Sequence, residues 1–203
     1  MRPAPTTDDV QLDDDASIIE RSWHEPERFA LLFDRHAARI HRYVARRVGR
    51  EVADDLVAET FLAAFAKRRG YFTAYRDAGP WLYGIATNLV GQHRREEVRQ
   101  FRIRQAAWPD LAEPGHADRV TADVTARSVR RPLAAALAEL ADGDRDVLLL
   151  IAWEQLTYTE TARALDIPVG TVRSRLNRAR ARLRATLAAA GPADTFEEIL
   201  TND

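Results

Sequence analysis

Apolar residues recur at three- and four-residue spacing along most of the chain, and period-two alternation is almost absent, so the pattern predicts helices throughout. Phe29, Leu32, Phe33, His36, Ile40, Tyr43 and Val44 fall on one face of a first long helix, which Gly49 closes. A second helix is predicted from about residue 51 to 67. Its apolar positions (Val52, Leu56, Val57, Phe61, Leu62, Phe65) wrap around most of the circumference, so it must be covered on more than one side. A loop rich in aromatics, arginine and glycine follows over residues 68–79, and Pro80 stands where a first helical turn tolerates it. In the third helix, from Trp81 to about Arg104, a wheel places Leu82, Ile85, Ala86 and Leu89 on the buried stripe. Tyr83, Gly84, Thr87, Asn88, Gly91, Arg94 and Arg95 then lie on the outer side, where the two glycines would let a backbone approach closely.

The same pattern divides the chain. Residues 1–25 are acidic and polar with little to bury, and read as a largely disordered or loosely attached leader. Residues 26–106 form a first helical domain, and 107–132, with Pro109, Pro114 and Gly115, read as a flexible linker. A second domain spans 133–189: Leu133, Leu137 and Leu140 lead in, Asp142 or Asp144 caps the next helix, and Thr157 with Glu160 has capping-box spacing for a short helix to Leu165. Residues 190–203 read as a frayed acidic tail. The expected fold class is all-α, two small helical domains on a flexible connection.

Composition removes several function classes. None of the 203 residues is cysteine, so disulfides and thiolate metal sites are excluded, and no apolar run approaches the roughly 20 residues that span a bilayer. The N-terminus lacks a signal peptide's apolar core, so a soluble, cytoplasmic protein is expected. The five histidines (His24, His36, His41, His93, His116) form no metal-ligand motif, and there is no phosphate-cradling glycine loop, so neither an enzyme nor a cofactor is expected. Net charge of −1 conceals a polarity along the chain: residues 1–30 carry eight acids against three arginines, while 169–187 carry six arginines and no acid. A local footprint of this kind is what nucleic-acid binding requires.

Residues 157–187 read as helix, tight turn, helix. Tyr158, Ala162 and Leu165 share a face of the first helix, and Asp166 occupies a turn position where positive φ is tolerated. At about 100° per residue, Val172, Leu176, Ala179 and Leu183 of the second helix cluster in a narrow arc, while Arg173, Ser174, Asn177, Arg178 and Arg184 lie opposite. One face packs and the other can read DNA. Arginine and asparagine pair bidentately with guanine and adenine edges, and the flanking Arg175, Arg180 and Arg182 can neutralise phosphates.

The string Leu165-Asp166-Ile167-Pro168-Val169-Gly170-Thr171-Val172-Arg173-Ser174-Arg175-Leu176, then Arg178-Ala179-Arg180, resembles region 4 of RNA polymerase sigma factors of the extracytoplasmic-function type. That resemblance implies contact with the minus-thirty-five promoter element by Arg173, Ser174, Arg175, Asn177, Arg178 and Arg180. The run from Ala53 to Leu62 is similar to the family's region 2.2, which docks on core polymerase, and implies a polymerase-binding set of Asp54, Asp55, Leu56, Val57, Glu59, Thr60 and Phe61; a glutamine is usual where Ala58 stands. Pro80 to Leu89 is similar to regions 2.3–2.4, with the preceding loop implied to capture a flipped-out base of the minus-ten element. The residues so implied are Tyr71, Phe72, Tyr75, Arg76, Trp81, Thr87, Asn88, Arg94 and Arg95, although the family commonly has arginine where Gly84 and Thr87 stand. The implied partners are core RNA polymerase, promoter DNA and an anti-sigma factor. The main rival is a dimeric helix-turn-helix regulator whose N-terminal domain senses a ligand.

Overall fold

The computed structural model describes residues 13–107 and 133–190. The expected linker and acidic tail, and the first twelve residues of the leader, lie outside the described residues. Every regular element among the described residues is helical. Those in Met1–Glu96 and Thr159–Asp166 form one compact unit, and those in Glu97–Tyr158 and Ile167–Asp203 a second.

The leader expectation is corrected from residue 13 onward. Helix α1, Asp15–Arg21, is capped by Asp14, whose carboxylate accepts from the Ser17 N–H at 2.8 Å. Ile18 and Ile19 are completely buried, which stabilises the attachment by about 1.5–3 kcal/mol each. A short 3-10 turn, Pro26–Phe29, leads into α2, Ala30–Val48, and a single residue, Gly49, separates α2 from α3, Arg50–Lys67. Gly49 has φ 85°, a backbone state in which a side chain is strained. The edge-to-face ring pairs Phe29–Phe65 and Phe33–Phe61, at 5.3 and 4.9 Å, show α2 and α3 running antiparallel.

Helix α4, Gly79–Ala107, contributes Leu82, Tyr83, Ala86, Thr87 and Val90 to the core of the first unit. The expected stripe was therefore misplaced in phase: Ile85 and Leu89 are only half-buried, whereas Tyr83 and Thr87, expected outside, face inward. The Tyr43 and Tyr83 rings meet at 5.3 Å, and the Tyr43 hydroxyl lies 2.7 Å from Thr87 Oγ1 and accepts from Arg47 Nη1 at the same distance. A threonine can sit in this core because its hydroxyl is bonded. Gly84 does allow close approach: an added Cβ would lie 2.1 Å from the carbonyl oxygen of Ala164. Gly91 shows no comparable constraint, meeting only the end of the Arg95 side chain.

In the second unit, α5 covers residues 133–138, α6 spans Asp142–Ala152, and the long α8 spans Val169–Ala190. Neither Asp142 nor Asp144 caps α6; Ala141 holds that position without a side-chain bond, and both acids lie in the first turn. The junction is held by Arg145 instead. Its guanidinium donates to the carbonyls of Leu137, Ala138 and Leu140 at 2.7–2.8 Å and pairs with Asp142 at 3.0 Å, closing the end of α5. Helix α6 packs on α8 through a core that includes Val147, Leu150, Val172, Leu176 and Ala179. Helix α7, Tyr158–Leu165, which from Thr159 groups with the first unit, begins directly after Thr157, and Asp166 takes φ 51° in the turn before α8.

Candidate nucleic-acid interface

Helix α8 separates its residues as the wheel placed them. Val172, Leu176, Ala179 and Leu183 are buried, and Arg173, Ser174, Asn177, Arg178 and Arg184 are exposed, with Arg175 and Arg180 half-exposed. Not all these cations are equivalent. Arg178 is forked onto Asp144 of α6, Nε to Oδ2 at 3.1 Å and Nη2 to Oδ1 at 2.8 Å, and that bond holds its guanidinium more firmly protonated than usual. Arg182 approaches Glu139 at 3.8 Å, and Ser174 Oγ donates to the Thr171 carbonyl at 3.0 Å. The pairing acids stand on α6 and in the turn that precedes it, so the periodicity of α8 gives no sign of them.

The loop between α3 and α4 carries the second cluster. Phe72 is 64% exposed and meets exposed Tyr75 edge to face at 5.2 Å, while the exposed Arg76 side chain approaches Asp14 Oδ2 at 3.6 Å. The Arg163 guanidinium lies 3.8 Å from the Tyr75 ring centroid, so this ring already accommodates a flat cationic group on its face. Tyr71 was expected as another stacking surface and is corrected: it is buried against Trp81, with ring centroids 4.9 Å apart, and its hydroxyl donates to the carbonyls of Tyr75 and Asp77. Burial, with the charges of Asp15 and Asp77, pushes its phenol above the ordinary range and keeps that donor in place. On α4, Asn88 and Arg95 are exposed, Trp81 and Arg94 are half-buried, and Arg94 donates to the Arg47 carbonyl at 2.7 Å. Thr87 is sealed in the core and presents nothing to a ligand. Replacing Thr87 with valine is expected to lower stability by about 1 kcal/mol through the lost Tyr43 bond, measured by denaturant unfolding, and to leave DNA binding unchanged.

Sequence reasoning missed what holds this loop. Asp15, at the start of α1, accepts from His36 Nε2 at 2.7 Å and the Ala78 N–H at 2.9 Å, and pairs with Arg35. The Asp15 N–H donates in turn to the Arg76 carbonyl at 3.0 Å. Burial alone would raise this carboxyl, but the bonds from His36, Ala78 and Arg35 outweigh it and the group titrates below its ordinary 3.8. Ligand atoms of Asp15, His36 and Asp77 lie within 4.8 Å of one another, yet the Arg35 guanidinium already supplies the local positive charge and would repel a cation. The cluster is a hub of hydrogen bonds around Asp15, with Arg35 as its ion-pair partner.

On α3, Asp54, Asp55 and Glu59 are exposed, but Leu56, Val57, Thr60 and Phe61 are buried within the unit. These four are corrected from contact residues to supports. Leu62, 69% exposed beside the acids, is the exposed apolar side chain of α3 that the expected set left out. An open groove of about 310 Å³ runs alongside, lined by Phe33, Ala37, Ala38, His41, Asp54, Val57 and Ala58. No described helix is long and apolar enough to cross a membrane.

Two family models match the chain: Sigma-70 region 2 over residues 32–100, and Sigma-70, region 4 over residues 130–183. The ECF RNA polymerase sigma factor BldN of Streptomyces coelicolor is 30% identical over 177 residues, covering 85% of this chain and 64% of that protein. SigE of Mycolicibacterium smegmatis is 34% identical, covering 82% and 62%, and SigL of Mycobacterium tuberculosis is 33% identical, covering 77% and 86%. The chain thus spans somewhat under two thirds of the first two relatives. Among solved structures, CnrH in complex with the cytosolic domain of CnrY has a TM-score of 0.63 at 24% identity, covering 88% of this chain and all of that one. The sigma factor RpoE from Bartonella quintana, solved with the anti-sigma factor NepR, has a TM-score of 0.57 at 22% identity, covering 79% and 96%. At those identities the likeness shows the fold.

Proposed function

Since the chain belongs to the extracytoplasmic-function family of RNA polymerase sigma factors, we propose that it is a transcription initiation factor that joins core RNA polymerase and directs it to particular promoters. It acts by binding, without catalysis or a cofactor, in the cytoplasm where polymerase meets the chromosome. Helix α8 lies in the major groove of the minus-thirty-five element. Arg173, Ser174, Asn177 and Arg178 face base edges, while Arg175 and Arg180 neutralise phosphates. Phe72, Tyr75 and Arg76 take up an unstacked base of the minus-ten element beside Asn88 and Arg95, with Tyr71 and Trp81 supporting the loop from beneath. Melting becomes favourable because exposed bases gain stacking partners that the duplex cannot use. Polymerase docks on Asp54, Asp55, Glu59 and Leu62. An anti-sigma factor, of the kind seen with the RpoE neighbour, would restrain the protein by covering these surfaces.

The observation that supports this reading best is the division of α8 into a buried apolar stripe and an exposed, acid-free arginine face. Run-off transcription with purified core polymerase tests it. Arg173→Ala plus Arg178→Ala should lower promoter-specific transcript by roughly 10- to 100-fold, from the loss of two base contacts. Asp55→Ala plus Leu62→Ala should weaken holoenzyme assembly, read by gel filtration. Promoter duplex bound tightly by the chain alone, with no transcript from the reconstituted enzyme, would favour the dimeric regulator instead.

A further inference from the structure

Arg178 is the arginine of the reading face that the structure fixes on an acid through a two-point fork, and that fork determines what it can offer DNA. Asp144 takes the Nε–H and one Nη2–H. Left over are the second Nη2–H and both Nη1–H groups, along the outer edge of the guanidinium. Two parallel N–H groups on one edge match the O6 and N7 acceptors of guanine in the major groove.

We propose that Asp144 is a specificity-determining residue of the upstream readout: it grips Arg178 from the side and presents the outer edge of its guanidinium to a single guanine. The proposal rests on the reading that α8 binds promoter duplex. Three observations support it. The Asp144 side chain is only 13% exposed while that of Arg178 is 60% exposed, so the acid is the fixed partner and the arginine is what it aims. Asp144 stands in the first turn of α6, where a negative charge is favoured by the helix dipole, and α6 packs directly on α8. Arg175, the neighbouring cation of α8, also reaches this turn: an added Cβ at Gly143 would lie 2.8 Å from its Nη1.

The pairing also separates base from phosphate as a target. A guanidinium already neutralised by a carboxylate releases few counterions on binding and gains little from an anionic backbone. Its worth lies in directed geometry and in rotamer freedom lost before binding. Guanine supplies the directed acceptors; a phosphate would meet the charge of Asp144 as well.

The test uses holoenzyme reconstituted from the full chain and core polymerase, transcribing a promoter library with a randomised upstream element. Transcript sequencing then gives the preference at each base position for wild type, Asp144→Asn, Asp144→Glu and Arg178→Ala. Wild type should show one position with a guanine preference in the range of roughly 5- to 150-fold, which Arg178→Ala abolishes. Asp144→Asn should reduce the same preference by about tenfold, the worth of one charge-assisted bond, and leave the other positions within about twofold. Asp144→Glu keeps the charge but displaces the fork by a methylene, so it should lower that preference too; if Asp144 acted only by its charge, this variant would behave as wild type. The inference is overturned if Asp144→Asn retains the full guanine preference, or if it gains activity evenly on all sequences with a steeper salt dependence. Loss of the preference in Arg178→Ala but in neither Asp144 variant sinks the inference alone. Unchanged preferences in Arg178→Ala would remove both this inference and the assignment of Arg178 to base readout.

Discussion

Replacing Asp15 with alanine should destabilise the first unit by about 3–5 kcal/mol, the usual cost of stranding the partner of a buried ion pair. Removing the carboxylate leaves the buried His36 without this acceptor, takes one anion from Arg35 and leaves the Ala78 N–H without this bond. Denaturant unfolding of the purified chain measures the loss, and a change below about 1 kcal/mol would show that the hub is solvated. The pH dependence has a definite sign. Because the folded carboxyl titrates below its ordinary 3.8, its stabilisation is complete above that value and disappears as the pH falls through the folded pKa; Asp15→Ala should flatten this acid limb. Hydrogen exchange should also quicken at Ala78, whose N–H is bonded to the carboxylate. With the loop loosened, the minus-ten base capture proposed for Phe72 and Tyr75 should weaken while the duplex binding proposed for α8 is untouched.

That such a hub exists was not legible in the leader's composition. Averaged over residues 1–25, the acids outweigh Ile18 and Ile19, and the average predicts detachment. The local signals point the other way: Asp14 stands three residues before Ser17, as an N-cap requires, and two adjacent isoleucines follow. What sequence could not supply was the partner of Asp15, because His36 and Ala78 lie 21 and 63 positions away.

The helices differ in legibility for a related reason. On α8 the contrast between arginine and aliphatic positions leaves one possible phase, so buried and exposed faces are as expected. Around α4, Leu82, Tyr83, Ile85, Ala86, Leu89 and Val90 offer several stripes of similar apolarity, and the phase is chosen by polar chemistry. Thr87 points inward because the Tyr43 hydroxyl, itself held by Arg47, is there to bond with it. On α3 nearly every face is apolar, so Phe61 and Leu62 look alike in sequence; the ring contact with Phe33 buries the first and leaves the second outside.

Helix α6 depends on the joint that Arg145 makes with the end of α5. Arg145→Ala should lower the stability of the second unit by about 3 kcal/mol, since one side chain serves three carbonyls and an acid and bonds to a charged donor contribute about 1.5–3 kcal/mol each before relaxation and rehydration. Arg145→Met keeps the apolar stem and loses every bond, so it should recover only the packing part. Arg145→Lys keeps the charge but cannot reach three carbonyls from one point, and should fall between Met and wild type. Thermal and denaturant melts of the three variants separate these contributions; an alanine variant within about 0.5 kcal/mol of wild type would mean that water closes the end of α5 equally well. The effect should reach beyond stability. Since α6 starts at Ala141 without a side-chain cap, Arg145 is what fixes its first turn, and that turn carries Asp144. Loosening it should blunt the guanine preference proposed for Arg178 in Arg145→Lys, even where the unit remains folded.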